Sequence, residues 1–272
     1  MRISVITVVL NDPRVERALE SLFAQECDAE IESILIDGGS ASPTQQILER
    51  YRRRVSIFLS EPDRGIYDAM NKGLRLATGD IVGFLHADDR YADRFVLRDI
   101  AAAFADPELD ACYGDVVFVS PRTGRILRYW RAGLYRRWKY YLGWMPTHLT
   151  FFLRRSVYER FGGYDLAYPI AADYELMFRL LFLGAIRRVY YIPRVLVCMD
   201  AGGASNGSVR AILKGNWECW QTWKHHGRAL QGLLVPIAKP LRKLGQFLRR
   251  PPVTPEVLRS PLRHSPLIAA ED

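Results

Sequence analysis

The chain of 272 residues has 4 cysteines, Cys27, Cys112, Cys198 and Cys219. They form no C-x-x-C pair, which removes the sequence basis for a zinc site or a thioredoxin-like redox motif. Free thiols suit a reducing cytoplasm, and a core of this size needs no covalent staple. No run approaches the roughly eighteen apolar residues of a spanning helix, and Met1-Arg2-Ile3-Ser4 passes into a strand pattern without a small-residue cleavage site. The expectation is a cytoplasmic protein with neither export signal nor spanning anchor. The glycines after the second predicted strand are Gly38 and Gly39 alone, so the G-x-G-x-x-G fingerprint is missing, as is the G-x-x-x-x-G-K-[ST] phosphate loop. Acids are scarce in one region: between residues 176 and 255 only Asp200 and Glu218 occur, while basic residues recur. The net charge of +8 therefore belongs mostly to the second half and implies an anionic partner. No recognition motif makes that partner a nucleic acid.

What is present is an ordinary globular composition, 49% hydrophobic and 25% charged. Residues 3–10 (ISVITVVL) read as a buried strand, with Asp12 a cap and Pro13 the first residue of the following helix. A second strand, 34–36, ends at Asp37-Gly38-Gly39-Ser40. A third, 55–59, ends at Ser60-Glu61, and a fourth, 81–85, ends at His86-Ala87-Asp88-Asp89. Strands alternating with helical segments imply a mostly parallel central sheet flanked by helices. Ligands in such sheets sit outside the carboxyl ends of the strands. Asp88 and Asp89 there supply the oxygens that hard divalent cations require, although Asp88 alone would also serve as a helix cap.

The 65–77 helix places Ile66, Met70 and Leu74 toward the core, with Asp68, Asn71, Lys72 and Arg75 on a solvated face. Arg64, before the helix, is a candidate diphosphate contact. Residues 113–128 read as a hairpin, which makes the sheet mixed. The stretch 129–144 interleaves arginines with tyrosines and tryptophans, which suits an amphipathic covering element as well as contact with nucleobases, a sugar face or a membrane interface, the aromatic density favouring sugar or interface. A strand is expected over 147–152, and a helix from 172 to Gly184 carries Asp173 in its first turn, where the helix dipole lowers the carboxyl pKa. The 202–207 segment is a Gly-rich loop able to close over a ligand.

Residues 236–250 carry Lys239, Arg242, Lys243, Arg249 and Arg250 among apolar Leu241, Leu244, Phe247 and Leu248, the composition of a helix on an anionic membrane surface. The organisation expected is a catalytic domain over 1–225, a basic amphipathic helical extension over 226–250 and a poorly ordered Pro-rich tail over 251–272.

Thr7-Val8-Val9-Leu10-Asn11, Ile36-Asp37-Gly38-Gly39-Ser40, the run 61–89, His148 before Phe151-Phe152, Gly162-Gly163-Tyr164-Asp165 and Ala171-Ala172-Asp173-Tyr174-Glu175 occur in an order and spacing that matter together. Over residues 3 to about 206 the chain resembles the family 2 glycosyltransferases of the GT-A fold, in the branch that builds bacterial surface polysaccharides and glycolipids. The resemblance implies an α/β fold with a smaller mixed sheet on the acceptor side. It implies an inverting, metal-dependent hexosyltransferase that adds one sugar from a nucleotide-diphosphate donor to a hydroxyl of a glycan or polyprenyl-diphosphate-linked acceptor. By position, Asp37 would hold the base or ribose, with Val9 and Asn11 beside it. Asp89 would ligate manganese or magnesium, and Asp88 would contact metal or ribose. Arg64 and Asp68 would lie along the donor, His148 would touch the diphosphate or the acceptor unless it is a buried, satisfied histidine, and Asp173 would be the general base. His86 and Ala172 stand where acids are often found.

A sugar-phosphate nucleotidyltransferase should carry a Gly-rich basic loop after the first strand, where this chain has Asn11-Asp12-Pro13. A non-catalytic glycan-binding protein has no need of Asp89 and Asp173. Processive synthases carry Q-x-x-R-W after the base, whereas Leu134-Tyr135-Arg136-Arg137-Trp138 lacks the Gln and precedes Asp173. The remaining expectation is a single-addition enzyme, peripheral at the inner face of the plasma membrane.

Overall fold

Buried apolar runs ended by glycine or acid build the first half of the molecule. The computed structural model describes residues 1–201, 209–248 and 268–269. In chain order it contains β1 (Arg2–Val9), α1 (Val15–Phe23), β2 (Glu30–Asp37), α2 (Thr44–Tyr51), β3 (Ile57–Ser60), α3 (Ile66–Leu76), β4 (Ile81–Phe84), β5 (Asp89–Tyr91) and α4 (Val96–Ala103). The second half adds β6 (Ala111–Val119), β7 (Ile126–Trp130), β8 (Phe152–Arg154), α5 (Arg155–Phe161), α6 (Ala172–Met177), β9 (Arg188–Asp200), α7 (Val209–His225), α8 (Val235–Leu248) and β10 (Ile268–Ala269). The sheet order is β10-β9-β6-β8-β4-β1-β2-β3.

β3, β2, β1 and β4 are parallel. From β1 the chain moves one way to β2 and β3, then back across to β4, so the strand order reverses beside β1 and opens a crevice at the carboxyl ends. Beyond β4 the sheet becomes mixed: β8 is antiparallel to β4 and to β6. β9 runs parallel to β6, and β7 folds back on β6 as the expected hairpin. The fold is the α/β GT-A arrangement, a curled mixed sheet between helices.

Several local expectations are corrected. α1 starts at Val15, not at Pro13. Asn11 takes a left-handed φ of 51°, and the Asp12 carboxylate accepts the Arg14 amide at 3.0 Å and its guanidinium at 2.6 Å. α3 keeps Met70 and Leu74 on the core as expected, but Ile66 is exposed, while Tyr67, Asp68 and Lys72 are buried. The cause is the entry through Gly65 at φ 114°, after which polar side chains satisfy the preceding loop. Asp68 accepts the Arg64 amide at 3.0 Å, and Lys72 Nζ donates to the Pro62 carbonyl at 2.8 Å.

Residues 147–152 are not one strand; a single tight turn, His148–Thr150, precedes β8. The aromatic stretch is mainly core rather than a sugar platform, since Tyr135, Tyr140 and Trp144 are buried. Their polar tips donate to the carbonyls of Leu181, Met177 and Ala132, which is what lets such side chains be buried. Trp138 is exposed and Tyr141 lies at the edge. The expectations for the 202–207 loop and for the 251–272 tail lie outside the described residues, apart from Ile268 and Ala269, which pair with β9.

Gly83 in β4 is required by close packing. A Cβ there would stand 2.2 Å from Cε1 of the fully buried Phe152 ring. Gly83→Ala is expected to lower unfolding free energy by about 1–3 kcal/mol, as overpacked cores do. Urea denaturation checks this, and Phe152→Leu in the same chain should recover part of the loss.

Candidate active site

Four strand ends set the geometry. Val9, buried, closes β1. Asn11, next in line, donates its amide to Ser40 Oγ at 2.8 Å and accepts the Ala41 amide on Oδ1 at 2.8 Å, tying the β1 end to the turn after β2. Asp37 at the end of β2 is 1% exposed and accepts from the Ser40 amide at 3.0 Å and Ser60 Oγ at 2.6 Å. Arg64 extends into solvent from the β3–α3 connection, 3.4 Å from Asp68.

β4 ends in His86-Ala87-Asp88-Asp89, and the carboxyl terminus of β9 brings Asp200 against it; the Asp200 amide donates to the Asp88 carbonyl at 3.2 Å. Asp88, Asp89 and Asp200 line a small recess with Arg14, Arg17 and Arg90. Arg17 stands 3.2 Å and Arg90 3.5 Å from Asp200, and Arg14 is 3.8 Å from Asp88. Burial raises the Asp88 carboxyl above its ordinary value. Burial, then the charges of Asp88 and Asp200, push Asp89 much further up. Both Asp89 carboxylate oxygens are buried without a hydrogen-bond partner among the described residues, a state that costs free energy unless something else satisfies them.

This recess fits a hard cation in one respect: two adjacent carboxylates, one of which, Asp89, has both oxygens unsatisfied. Among the described residues no group of three or more His, Cys, Asp or Glu side chains is arranged to hold an ion. An ion here would draw its remaining ligands from water and substrate phosphates, the habit of magnesium sites.

Asp173 lies across the cleft, in the first turn of α6. The Glu218 carboxylate on α7 accepts the amides of Ile170 at 2.9 Å and Ala171 at 2.8 Å, fixing the backbone that leads into α6. Tyr67 OH, with one proton to share, lies 2.9 Å from the Ile170 carbonyl and 3.1 Å from Asp173 Oδ1. His148 Nδ1 stands 3.3 Å from Asp173 Oδ2, and His148 Nε2 meets His86 Nε2 at 2.9 Å. Burial, and next the His148 ring, hold the His86 pKa well below its usual value, so His86 is neutral. His148 Nδ1 carries a proton toward Asp173, an assignment drawn from the network.

Burial pushes the Asp173 pKa up, but the His148 hydrogen bond and charge, Lys239 and the Tyr174 amide outweigh it, leaving it below the ordinary carboxyl range. The lowering expected from the helix dipole is thus supplied chiefly by His148. Tyr67, raised well above its usual pKa by burial and then by Asp173, remains a neutral donor.

The sequence reading did not assign roles to Asp200, Glu218 or Tyr67, or to the His86–His148 contact. A signal for the first two was visible: they are the only acids in a long basic stretch.

A cavity of about 130 Å³ opens beside Asp173 and His148. The Glycosyl transferase family 2 model matches residues 4–162. A Mycobacterium bovis PGL/p-HBAD biosynthesis glycosyltransferase is 33% identical over 210 residues, covering 75% of this chain and 78% of the relative. An uncharacterized glycosyltransferase of Mycobacterium tuberculosis is 33% identical over 193 residues, 65% of this chain and 68% of the relative. Among solved structures, S. aureus TarS in complex with UDP-GlcNAc aligns with TM-score 0.63 at 19% identity, over 83% of this chain and 65% of that one. The Pyrobaculum calidifontis mannosyltransferase PcManGT, in complex with GDP-Man and Mn2+, aligns with TM-score 0.61 at 21% identity, over 89% and 73%.

Because the Asp89 carboxylate is buried without partners, Asp89→Asn should raise the melting temperature, by about 2–4 °C for each ~1 kcal/mol of relieved penalty. Added manganese should raise the melting temperature of the native chain and leave that of the variant unchanged. Differential scanning calorimetry with and without the ion reads both effects.

Proposed function

The chain belongs to glycosyl transferase family 2, and from that premise we propose that it transfers a single sugar, with inversion, from a nucleotide-diphosphate donor to a hydroxyl of a glycan or lipid-linked acceptor in cell-envelope synthesis. The observation that carries the reading is Asp173, kept ionised chiefly by His148 at the wall of a cavity, across from the carboxylates at the strand ends. Residues 1–225 constitute the catalytic part, with Val9, Asn11 and Asp37 on the nucleoside, and Arg64 and Asp68 bordering the diphosphate.

In the reaction an acceptor oxygen attacks the sugar C1 as the bond from C1 to the diphosphate oxygen breaks. The bonding electrons leave with the nucleoside diphosphate, and the acceptor proton passes to the Asp173 carboxylate. Asp89, with Asp88 beside it, would hold manganese or magnesium, which when bound neutralises charge on the departing diphosphate. His148 and Tyr67 aim the carboxylate, and a well-placed base contributes roughly 10²–10⁴-fold. The lowered pKa makes Asp173 a weak base but one that is fully ionised at neutral pH, so its advantage is position rather than basicity.

The donor reading draws support from relatives of the same fold crystallised with UDP-GlcNAc and with GDP-Man. Membrane association draws support from the surface around α8. Among the described residues no helix is long and apolar enough to cross a membrane, but Leu230, Leu233, Leu234, Ile237 and Leu241 are exposed together with basic neighbours. Apolar side chains flanked by bases suit the interface of an anionic bilayer.

Asp173→Asn is expected to reduce kcat by at least about 10²-fold while calorimetric affinity for the nucleotide diphosphate stays within experimental error. With the native chain, the acid limb of kcat/KM should fall below the usual carboxylate range, because protonation of the base requires a pH beneath its lowered pKa. Near-native turnover by the variant would place the base elsewhere, Glu175 being the next carboxylate to test. In flotation assays the protein should rise with vesicles containing anionic lipid and not with neutral ones, and Leu233→Ser/Ile237→Ser/Leu241→Ser should remain at the bottom.

A further inference from the structure

His86 keeps a buried polar atom that adds nothing to stability. The residue is 7% exposed, and its Nδ1 has no hydrogen-bond partner among the described residues. An apolar ring in that place would carry no such penalty. Among the described residues the side chain makes a single hydrogen bond, from ring to ring, between its Nε2 and His148 Nε2 at 2.9 Å. Whatever the residue does, it does through His148.

His148 stands at the cavity wall with its side chain 20% exposed, on the single turn His148–Thr150. An imidazole at such a wall, held at one nitrogen only, can turn about its side-chain torsions. Here both nitrogens are engaged, Nδ1 with Asp173 Oδ2 at 3.3 Å and Nε2 with His86. A ring held at opposite ends has one orientation left.

His86 is anchored in its turn. Its carbonyl, just past the end of β4, accepts the Asp89 amide at 3.1 Å. Its ring lies 6.4 Å from that of Phe84, which meets Tyr164 edge-on at 5.6 Å, and Tyr164 stacks on Tyr67 at 5.4 Å. These rings make one layer, and Tyr67 at its end is the other ring beside Asp173. The layer therefore braces the Asp173 carboxylate from both of its ring partners.

We propose that His86 is a positioning residue for the transfer reaction: its hydrogen bond fixes the His148 ring, and the fixed ring holds the Asp173 carboxylate where the acceptor proton arrives. The inference rests on the transferase reading above and adds to it a residue that acts without touching the reacting atoms. The proton still passes to Asp173. Displacing a reacting group by about 1 Å can cost on the order of 10²-fold in rate.

The titratable groups whose charge bears on Asp173 are Tyr67, Tyr164, His86, His148, Cys219 and Lys239. Burial pushes the Asp173 carboxyl up, and the His148 contact does most to bring it below its ordinary range. Loosening the His148 ring raises that carboxyl again.

The test compares the full native chain with His86→Phe, which keeps a buried ring without the nitrogen, and with His86→Gln, whose amide can offer a donor or an acceptor to His148. Turnover is read as release of nucleoside diphosphate from UDP-GlcNAc, GDP-Man and dTDP-glucose with manganese, water standing in for the acceptor. Calorimetry reads affinity for UDP, GDP and dTDP. His86→Phe should lower kcat about 10- to 10²-fold, with KM and nucleotide affinity unchanged and no fall in melting temperature. The acid limb of kcat/KM should move to higher pH, because a carboxyl with a raised pKa is protonated sooner as pH falls. His86→Gln should recover most of kcat and return the acid limb toward its native place. Ring-nitrogen spectra of the histidine-labelled chain read the contact without turnover: the His148 Nδ1 resonance should shift in His86→Phe toward that of a freely turning imidazole.

An unmoved His148 resonance, or native kcat in His86→Phe, overturns the proposal. So does a lowered kcat that His86→Gln leaves unrecovered, which would make His86 a packing residue, and so does a loss of nucleotide affinity, which would place His86 on the donor. A native chain that releases no nucleoside diphosphate from any of the three probes, while its His148 resonance responds to His86→Phe, would uphold the fixing of His148 by His86 and remove the transferase reading instead.

Discussion

Parallel pairing of β1 with β4, from Ile3 opposite Ile81 to Ile6 opposite Phe84, is the constraint on which the rest depends. Hydrogen bonding between neighbours in the sheet but distant in sequence delivers the end of β4 beside the ends of β1 and β2. Backbone amides and carbonyls inside the sheet are consumed by the ladder, so the first polar atoms free to meet a ligand are those just past it. Chemistry therefore collects at residues 9–11, 37–40 and 86–89. The same pairing demands dense packing around β4, and the Phe152 ring against Gly83 shows how little space remains there.

β4 also joins the two halves of the site. His86 faces His148 and, through it, Asp173, while Asp88 and Asp89 lie two and three residues further on. A buried neutral histidine between the strand end and the base has its orientation set by hydrogen bonds rather than by charge. It makes the position of Asp173 depend on the same strand that positions the acidic pair. Glu218 secures the other side by occupying the amides that lead into α6, so the carboxylate is held from the sheet and from α7 together. Such duplication suits a residue that must stay within hydrogen-bonding reach of a moving proton.

The strands and their acidic ends were legible because period, length and turn residues all agreed on them. Apolar runs such as 81–85 have few alternatives once bounded by Gly79-Asp80 and Asp88-Asp89. The burial of Asp68 and Lys72 on α3 was not legible, because it follows from the left-handed entry at Gly65 and from loop carbonyls and amides that draw both side chains inward. The aromatic stretch 129–144 misled for a related reason: tyrosine and tryptophan serve a core and a sugar surface equally well, and only the carbonyls waiting at Leu181, Met177 and Ala132 distinguish the two. The histidine contact spans 62 positions, a distance over which local pattern carries no information. Residues 236–250 are compatible by composition with a helix on an anionic surface or with a solvated one, and pattern alone does not show that Lys239 and Arg242 line the cavity while Ile237 and Leu241 are exposed.

That division of α8 bears on how such enzymes diversify. The family model ends at residue 162, before Asp173, before β9 and well before the helix that completes the cavity wall. The strand-end recess is built on strands whose substitution would disturb the whole sheet, while the second cavity wall is a late, peripheral helix resting on α7 and the segment Arg137–Leu142. Drift in that helix can reshape the cavity while the strand ends are left as they were. Membership of the family, which rests on residues 4–162, thus speaks for the strand-end recess and says less of the wall that α7 and α8 supply.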